Sequence, residues 1–398
     1  MKNPFRWLTP ARSLVDKTLS VPDQKNQLPA SLIALSGTHH AGWSQCDYAT
    51  LARVGFMRNP IVYRCVRLIS EAAAAMPLLA YEANMELDTH PVLDLVARPN
   101  ARQGGKDFLE MIVGHLLVSG NAYVELVGAD PGPHELHALR PDRVRVIADR
   151  NGWVEAYEYS AGTDKQVHKV PDSGASPVLH LTLFHPLDDL YGFPPLQAAL
   201  MALDVHNSAS QWNKSLLDNS ARPSGALVYA STDTANLSDD QFERLKTELE
   251  DGYTGTSRAG RPLLLEGGLD WKAMGYSPRD MDFVDGRNAA ARDIALAFGV
   301  PPMLLGIPGD NTYSNYQEAN RAFARQTVLP LINRTLDGFN TWLQPHFGDK
   351  AVLAVDEDRV EGLAAERDSL WSRVSGAEFL SEAEKREAVG YSPRREAK

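Results

Sequence analysis

Cysteine is nearly absent. Cys46 and Cys65 are the two in 398 residues, too few for a disulfide framework or a zinc cluster. Cys65 falls in an apolar run of helical spacing and reads as a buried thiol, which suits a reducing compartment. No run approaches the ~20 apolar residues that span a bilayer. The opening MKNPFRWLTPARSLVDK has basic residues but no continuous apolar core, so no secretory leader is expected and synthesis in the cytoplasm is. Positive charge is also short: 40 Lys and Arg against 51 Asp and Glu give a formal net charge of −11. Tight binding of a duplex through a basic patch is disfavoured. Letting a duplex pass without holding it is not. Catalytic signatures are missing as well, with no GxxxxGK[ST], GxSxG, HExxH or CxxC.

What is present is ordinary globular composition, 43% hydrophobic and 23% charged, in a chain long enough for a large core. Residues 1–45 lack periodicity and read as an arm, partly disordered, extending to about residue 50. Order is expected from Asn59, a helix cap followed by Pro60 and by Ile61, Val62, Cys65, Leu68, Ile69 and Ala72 at helical spacing; Pro77 ends that helix. A second helix fits 106–118. The period then changes to two. NAYVELVG (121–128) alternates as a half-buried strand, VRVIAD and WVEAYEYS flank an Asn151-Gly152 hairpin turn, and VLHLTLF (178–184) is a further strand. A long helix is expected over 194–219 and a strand over 225–230. A capping box at Ser238 and Gln241 opens a helix to about Asp251. PLLLEG (262–267) and LDWKAMGY (269–276) make a β unit too small to stand alone. Ser277, Pro278 and Asp280 then open a helix that stops at Gly299 before Pro301-Pro302. After GIPGDNTYSN, a capping box at Ser314 and Gln317 opens a long helix that Pro330 should kink. The pattern is α+β.

Candidate chemistry is thin. His185, Asp188 and Asp189 at a strand exit could hold a metal in a hydrolase, against the plainer reading of a polar loop with capping carboxylates. His39-His40 reads as solvated and His206 with Asp204 as packing on a helix surface. Arg321, Arg325 and Arg334 read as a solvated face able to pair with carboxylates on a neighbour.

The order of the pieces is itself informative. NPIVYRCVRLISEAAAAMPLLAY (59–81), HPVLDLVARPN (90–100), FLEMIVGHLLVSGNAYVELV (108–127), ELHALRPDRVRV (135–146), LYGFPPLQAA (190–199), IALAFGVPPMLLG (294–306), NTYSNYQEANRAF (311–323) and SEAEKREAVGYSP (381–393) together resemble the portal proteins of tailed bacteriophages. The likeness is to the shorter subgroup of long-tailed phages and prophage-derived gene-transfer particles, and covers most of the chain from Asn59 to Pro393.

The resemblance implies a non-enzymatic, dodecameric ring at one capsid vertex, without cofactor or membrane. Double-stranded DNA would be packaged and ejected through its channel. Terminase large subunit, a head–tail adaptor, the tail and the major capsid protein would dock on it in the virion. It further implies a wing over 51–237, stem helices near 238–259 and 278–300, and a clip over 260–277 carrying Leu264, Glu266, Trp271 and Lys272. A tunnel-loop region would span 301–315, the kinked helix and return to the wing 316–356, and a helical crown 357–398, shorter than in longer relatives of the family. Asp310, Asn311, Thr312, Tyr313, Ser314 and Asn315 would face the DNA, with Asn311, Thr312, Ser314 and Asn315 as short polar groups that touch a sliding backbone without fixing its register and Tyr313 pressing on it. Arg279, Arg287, Arg292, Arg321 and Arg325 are the candidate subunit contacts. A head–tail adaptor would be shorter, while an interaction protein without a ring is the remaining alternative.

Overall fold

The computed structural model describes residues 47–391, apart from 83–84, 88, 129–133, 173–174, 219–224, 230–237, 239, 241–242, 245–246, 248–268, 274–282, 310–312 and 348–350. Helix α1 (Pro60–Ala74) starts and stops where its punctuation puts it, between the Asn59 cap and Pro77. Strands β1 (Leu78–Glu82) and β2 (Met85–Leu87) pair antiparallel, and helices α2 (Pro91–Ala97) and α3 (Gly105–Ser119) follow. Strands β3 (Asn121–Val127), β4 (Glu135–Leu139), β5 (Val144–Ala148), β6 (Val154–Ala161), β7 (Asp164–Lys169) and β8 (Val178–Thr182) form two antiparallel sheets, in the orders β4-β3-β8 and β5-β6-β7. The turn at Asn151-Gly152 joins β5 to β6 as expected. Asp149 Oδ1 holds it by accepting from the Asn151 and Trp153 N–H groups at 2.8 and 2.9 Å.

Strand β3 departs from its alternation. Both faces of its first half are buried, from Asn121 to Val124. Ala122 and Val124 pack with Phe108 and Ile112 of α3, while Tyr123 faces Val144, Val146 and Tyr157 of the other sheet. A central strand between two layers loses its polar face. The helix expected over 194–219 is also broken. A single turn, Pro195–Ala198, is followed by Ala199 at φ −87°, ψ 5°, and helix α4 (Leu200–Asp218) starts after it.

Strand β9 (Gly225–Tyr229) was expected to belong to the wing, and 262–276 to form its own β unit. Among the described residues, β10 (Leu269–Ala273) of that unit pairs antiparallel with β9, from Leu269 opposite Tyr229 to Ala273 opposite Gly225. Two segments some forty residues apart thus share a ribbon, a pairing that local periodicity does not encode. Trp271 and Lys272 lie on β10. Leu264, Glu266, Arg279, the strand expected over 262–267, most of the first stem segment and the start of the second stem helix fall outside the described residues.

Helices α5 (Phe283–Ala297), α6 (Tyr313–Phe323) and α7 (Leu329–Phe347) carry the second half of the core, and strand β11 (Val352–Val355) returns to pair with β1. The C-terminal segment ends in helices α8 (Ala364–Ser375) and α9 (Glu382–Ala388). The largest core joins Val62, Cys65 and Ile69 of α1 to Val113, Leu203, Ile294, Ile332 and Leu336. Each fully buried aliphatic side chain there contributes ~1.5–3 kcal/mol. Cys65 is fully buried, and burial pushes its thiol up to about 12, the inert thiol its spacing predicted. A second core packs Phe108 edge-on to Phe339, ring centroids 6.2 Å apart, over β3, β4 and β8. The fold is α+β, as expected.

Candidate functional site

The segment between α5 and α6 is pinned at both ends. Helix α5 buries Ala290, Ala291, Ile294, Ala295 and Phe298 and ends at Gly299, where φ is +66°. A Cβ there would come 2.9 Å from Thr327 Oγ1, so the left-handed turn and the close approach both call for glycine. Pro302–Leu305 then make one 3₁₀ turn, closed by Gly306 at φ +70°. Ile307 is buried against Ala291 and Ala295. The Arg292 guanidinium donates to the Pro308 carbonyl. The loop root is therefore strapped back onto α5.

Asp310, Asn311 and Thr312 lie outside the described residues. Tyr313, Ser314 and Asn315 lie in α6 rather than in a loop, and α6 begins one residue ahead of the expected Ser314 cap. Ser314, Asn315, Tyr316, Gln317 and Glu318 are all exposed, and Phe323 is the one fully sequestered side chain of α6 among the described positions. An 11-residue helix with so little buried surface is marginal alone, so its stability must come from its neighbours.

The irregularity expected at Pro330 sits just ahead of it. Ala324–Val328 form a π turn, closed by the Leu329 N–H bonding to the Ala324 carbonyl, and α7 resumes with Pro330 in its first turn. Proline has no N–H, so a continuous α-helix would strand the carbonyl four residues back; the wide turn moves the break to where proline is tolerated.

Four of the five candidate contact arginines are among the described residues, and three of them have partners within the chain. Arg292 holds Pro308. Arg321 pairs with Glu318 at 2.5 Å and lies 3.6 Å from Glu366; Arg325 reaches the same Glu366 at 3.3 Å. Arg287 is exposed on α5. Arg334, outside that set, donates to the Thr182 carbonyl at 2.7 Å. The face read from spacing as solvated is exposed at Arg325 and Arg334, and Arg321, Arg325 and Arg334 each also hold a partner in the same chain. Outward hydrophobics were not singled out from the sequence: Leu296 on α5 is 78% exposed and Tyr316 on α6 48%.

The metal reading finds its groups engaged otherwise. His185 Nδ1 accepts from the Leu187 N–H at 3.1 Å, and Asp188 Oδ1 accepts from the Leu190 and Tyr191 N–H groups at 2.8 and 3.1 Å. They fold a turn over a hollow of about 310 Å³, shared with Tyr48, Tyr123 and Tyr191. Asp189 does not join them in lining it. Among the described residues, no group of three or more His, Cys, Asp or Glu side chains is placed to hold a metal ion. This loop is held against α3 by a backbone crossing of Gly120 (φ +74°) and Gly192, where a Cβ on either would run into the other's carbonyl.

His206 is buried rather than on a helix surface. Asn59 Nδ2 lies 3.0 Å from its Nδ1 and donates to Asn207 Oδ1 at 2.9 Å, while Asn59 Oδ1 caps α1 through Ile61 and Val62 N–H at 3.0 and 3.1 Å. Burial and then the Arg287 charge lower the His206 pKa, which fits a neutral ring whose Nδ1 accepts. The Ser381–Glu384 capping box of α9 also went unremarked in the sequence, although Ser-x-x-Glu is its usual signal.

Residues 60–390 match the model of the family described as phage portal protein. A protein of Rickettsia bellii (strain RML369-C), itself described as uncharacterized, is 42% identical over 344 residues, covering 85% of this chain and 89% of that one. Among solved structures, the neck of an empty gene transfer agent (GTA) particle computed with C6 symmetry contains a chain 51% identical, with TM-score 0.70, covering 89% of this chain and 96% of that chain. The neck of the native GTA particle computed with C12 symmetry contains one 50% identical, with TM-score 0.68, covering 88% and 95%. With a family match spanning most of the fold described above, the chain belongs to the phage portal protein family.

Proposed function

We propose that twelve copies of the chain form a closed ring at one vertex of a phage or GTA-type capsid, with DNA entering and leaving through its axis. The observation that carries this reading is the likeness to the native GTA neck with C12 symmetry, at 50% identity over 88% of the chain. The under-buried helix α6 and the outward Leu296 of α5 agree with it, since a head-to-tail ring covers faces that a lone subunit leaves open. Segment 310–315 is assigned to the channel wall. From Gly306 to Asn320 there is no lysine or arginine, so the segment makes no salt-dependent grip on phosphate and offers short polar groups instead. Tyr313 is the side chain assigned to press on the duplex. Arg287 and residues of the β9–β10 ribbon, with Trp271 and Lys272, are assigned to neighbouring copies and to what docks at that end. Terminase, adaptor and major capsid protein are the expected partners, and no catalytic role is assigned to His185, Asp188 or Asp189.

Native mass and negative-stain images of the purified protein test the ring. A holed particle near twelve times 43.8 kDa is expected. A species that remains monomeric both alone and with its capsid and adaptor partners would overturn the reading. For the channel role, particles carrying Tyr313→Gly should package shortened DNA; full-length packaging would refute that assignment to Tyr313.

A further inference from the structure

The π turn at Ala324–Val328 is where three separate parts of the chain meet. Thr327 uses its hydroxyl unusually. Thr335 and Thr341 in α7 donate to their own helix, to the Leu331 and Asp337 carbonyls at 2.8 and 2.9 Å. Thr327 Oγ1 donates instead to the Gly299 carbonyl at 2.6 Å, at the very end of α5. The turn therefore holds the root where the loop leaves α5. It also continues directly from α6, the root where the loop comes back.

The third part is the C-terminal segment. Glu366 of α8 takes both Arg321, from α6, and Arg325, from within the turn. Gly362 lies so close to the turn that a Cβ on it would meet the Ala324 Cβ at 2.9 Å. The segment is itself anchored. Val360 and Leu363 are buried in the main core, and Arg367 joins Asp358 to the Val389 carbonyl. So Glu366 stands on a fixed base and reaches a helix that has little buried surface of its own.

We infer that Ala324–Val328 is a coupling hub and that Glu366 is the positioning residue through which the C-terminal segment sets where both loop roots stand. A π turn persists in a helix only where its surroundings over-determine it, and such turns concentrate at functional sites. Here the surroundings are Gly299, Gly362 and Glu366, which belong to different elements. Anything that shifts α8 thus shifts α6 through Glu366, and α5 through Thr327. The functional part of this statement rests on the channel-wall reading above; the coupling itself does not.

Hydrogen exchange on the full-length assembled protein tests it. Glu366→Gln keeps the shape and removes the charge. It should speed amide exchange through 313–328 about fivefold, the scale of one partly exposed ion-pair cluster. Thr327→Val should do the same at 296–300. In a variant carrying Arg321→Gln and Arg325→Gln, adding Glu366→Gln should speed exchange at 313–328 no further. Lys165→Gln, which breaks the Lys165–Glu158 pair between β6 and β7, should leave 313–328 unchanged. Unchanged exchange in Glu366→Gln overturns the inference. So does a rise that spreads equally through α1, or a further rise when Glu366→Gln is added to the double arginine variant, since either would mark Glu366 as general scaffolding. Normal packaging by Tyr313→Gly would sink the channel role and leave these exchange results standing, so the two failures are separable.

Discussion

Asn59 offers the sharpest test of how the first helix is tied down. Its amide makes bonds at both ends. Oδ1 caps α1, and Nδ2 meets His206 and the half-buried Asn207 on α4, with Asn59 and His206 themselves buried. Asn59→Ala removes the cap, a loss of ~1 kcal/mol. It also strands His206 Nδ1, ~2 kcal/mol by the usual cost of a buried unpaired acceptor, while the half-buried Asn207 oxygen can turn to water. The total of about 3 kcal/mol, set against an unfolding entropy of ~2.1 cal/mol/K per residue over 398 residues, lowers Tm by about 4 °C. Asn59→Asp separates the two ends. It keeps the cap, and places a carboxylate near a helix N-terminus, but turns an oxygen toward His206 in place of the amide N–H. His206 then gains by protonating. In the native chain its pKa is lowered, so that group's contribution is present above its unfolded value near 6.5 and fades as pH falls. In Asn59→Asp the pKa is raised, so the contribution is complete below 6.5 and fades as pH rises through the new value. Scanning calorimetry of the two variants from pH 5 to 8 reads the difference. A Tm for Asn59→Ala within 1 °C of native, or an Asn59→Asp variant whose pH dependence parallels the native one, would refute the tie between α1 and α4.

His115 and His180 predict acid lability in a defined window. Burial pushes both down to about 4, with His115 Nε2 sealed from solvent and unpartnered among the described residues, and His180 stacked 4.3 Å from the Tyr123 ring. Folded chains refuse protons that unfolded chains accept between pH 6.5 and 4, so stability falls across that interval by ~3 kcal/mol per histidine. His180→Gln should flatten about half of the decline; an unchanged pH–stability profile would contradict the assignment. Gly192→Ala drives a methyl into the Gly120 carbonyl and should cost more than 3 kcal/mol, read as loss of soluble protein or a Tm drop beyond 4 °C. On α5, Leu296→Asp should leave the isolated subunit's Tm within 1 °C, because the side chain is 78% exposed, while shifting native mass from ring toward smaller species. Intact rings at micromolar concentration would remove Leu296 from the subunit contact.

Local grammar was legible and long-range pairing was not. Asn59-Pro60, Pro77, Asn151-Gly152, Gly299 and the order of helices and strands were readable because each signal acts within four residues of itself. Three features escaped for one physical reason. The β9–β10 ribbon, the two-sided burial of β3 and the intrachain partners of Arg292, Arg321 and Arg325 all depend on what lies opposite a residue in space. An arginine on a polar helix face looks the same whether it waits for a neighbour or already holds one.

Pro330 shows how the two kinds of information combine. The sequence announces a break in the helix, since the missing N–H must be accommodated somewhere. Where the break falls is decided by contacts from Gly299, Gly362 and Glu366, which lie from 28 residues before the turn's Thr327 to 41 residues after its Arg325. The π turn is therefore placed by partners and merely permitted by proline. Replacing Pro330 with alanine alone should leave the turn where it is, whereas removing the partners should let it close.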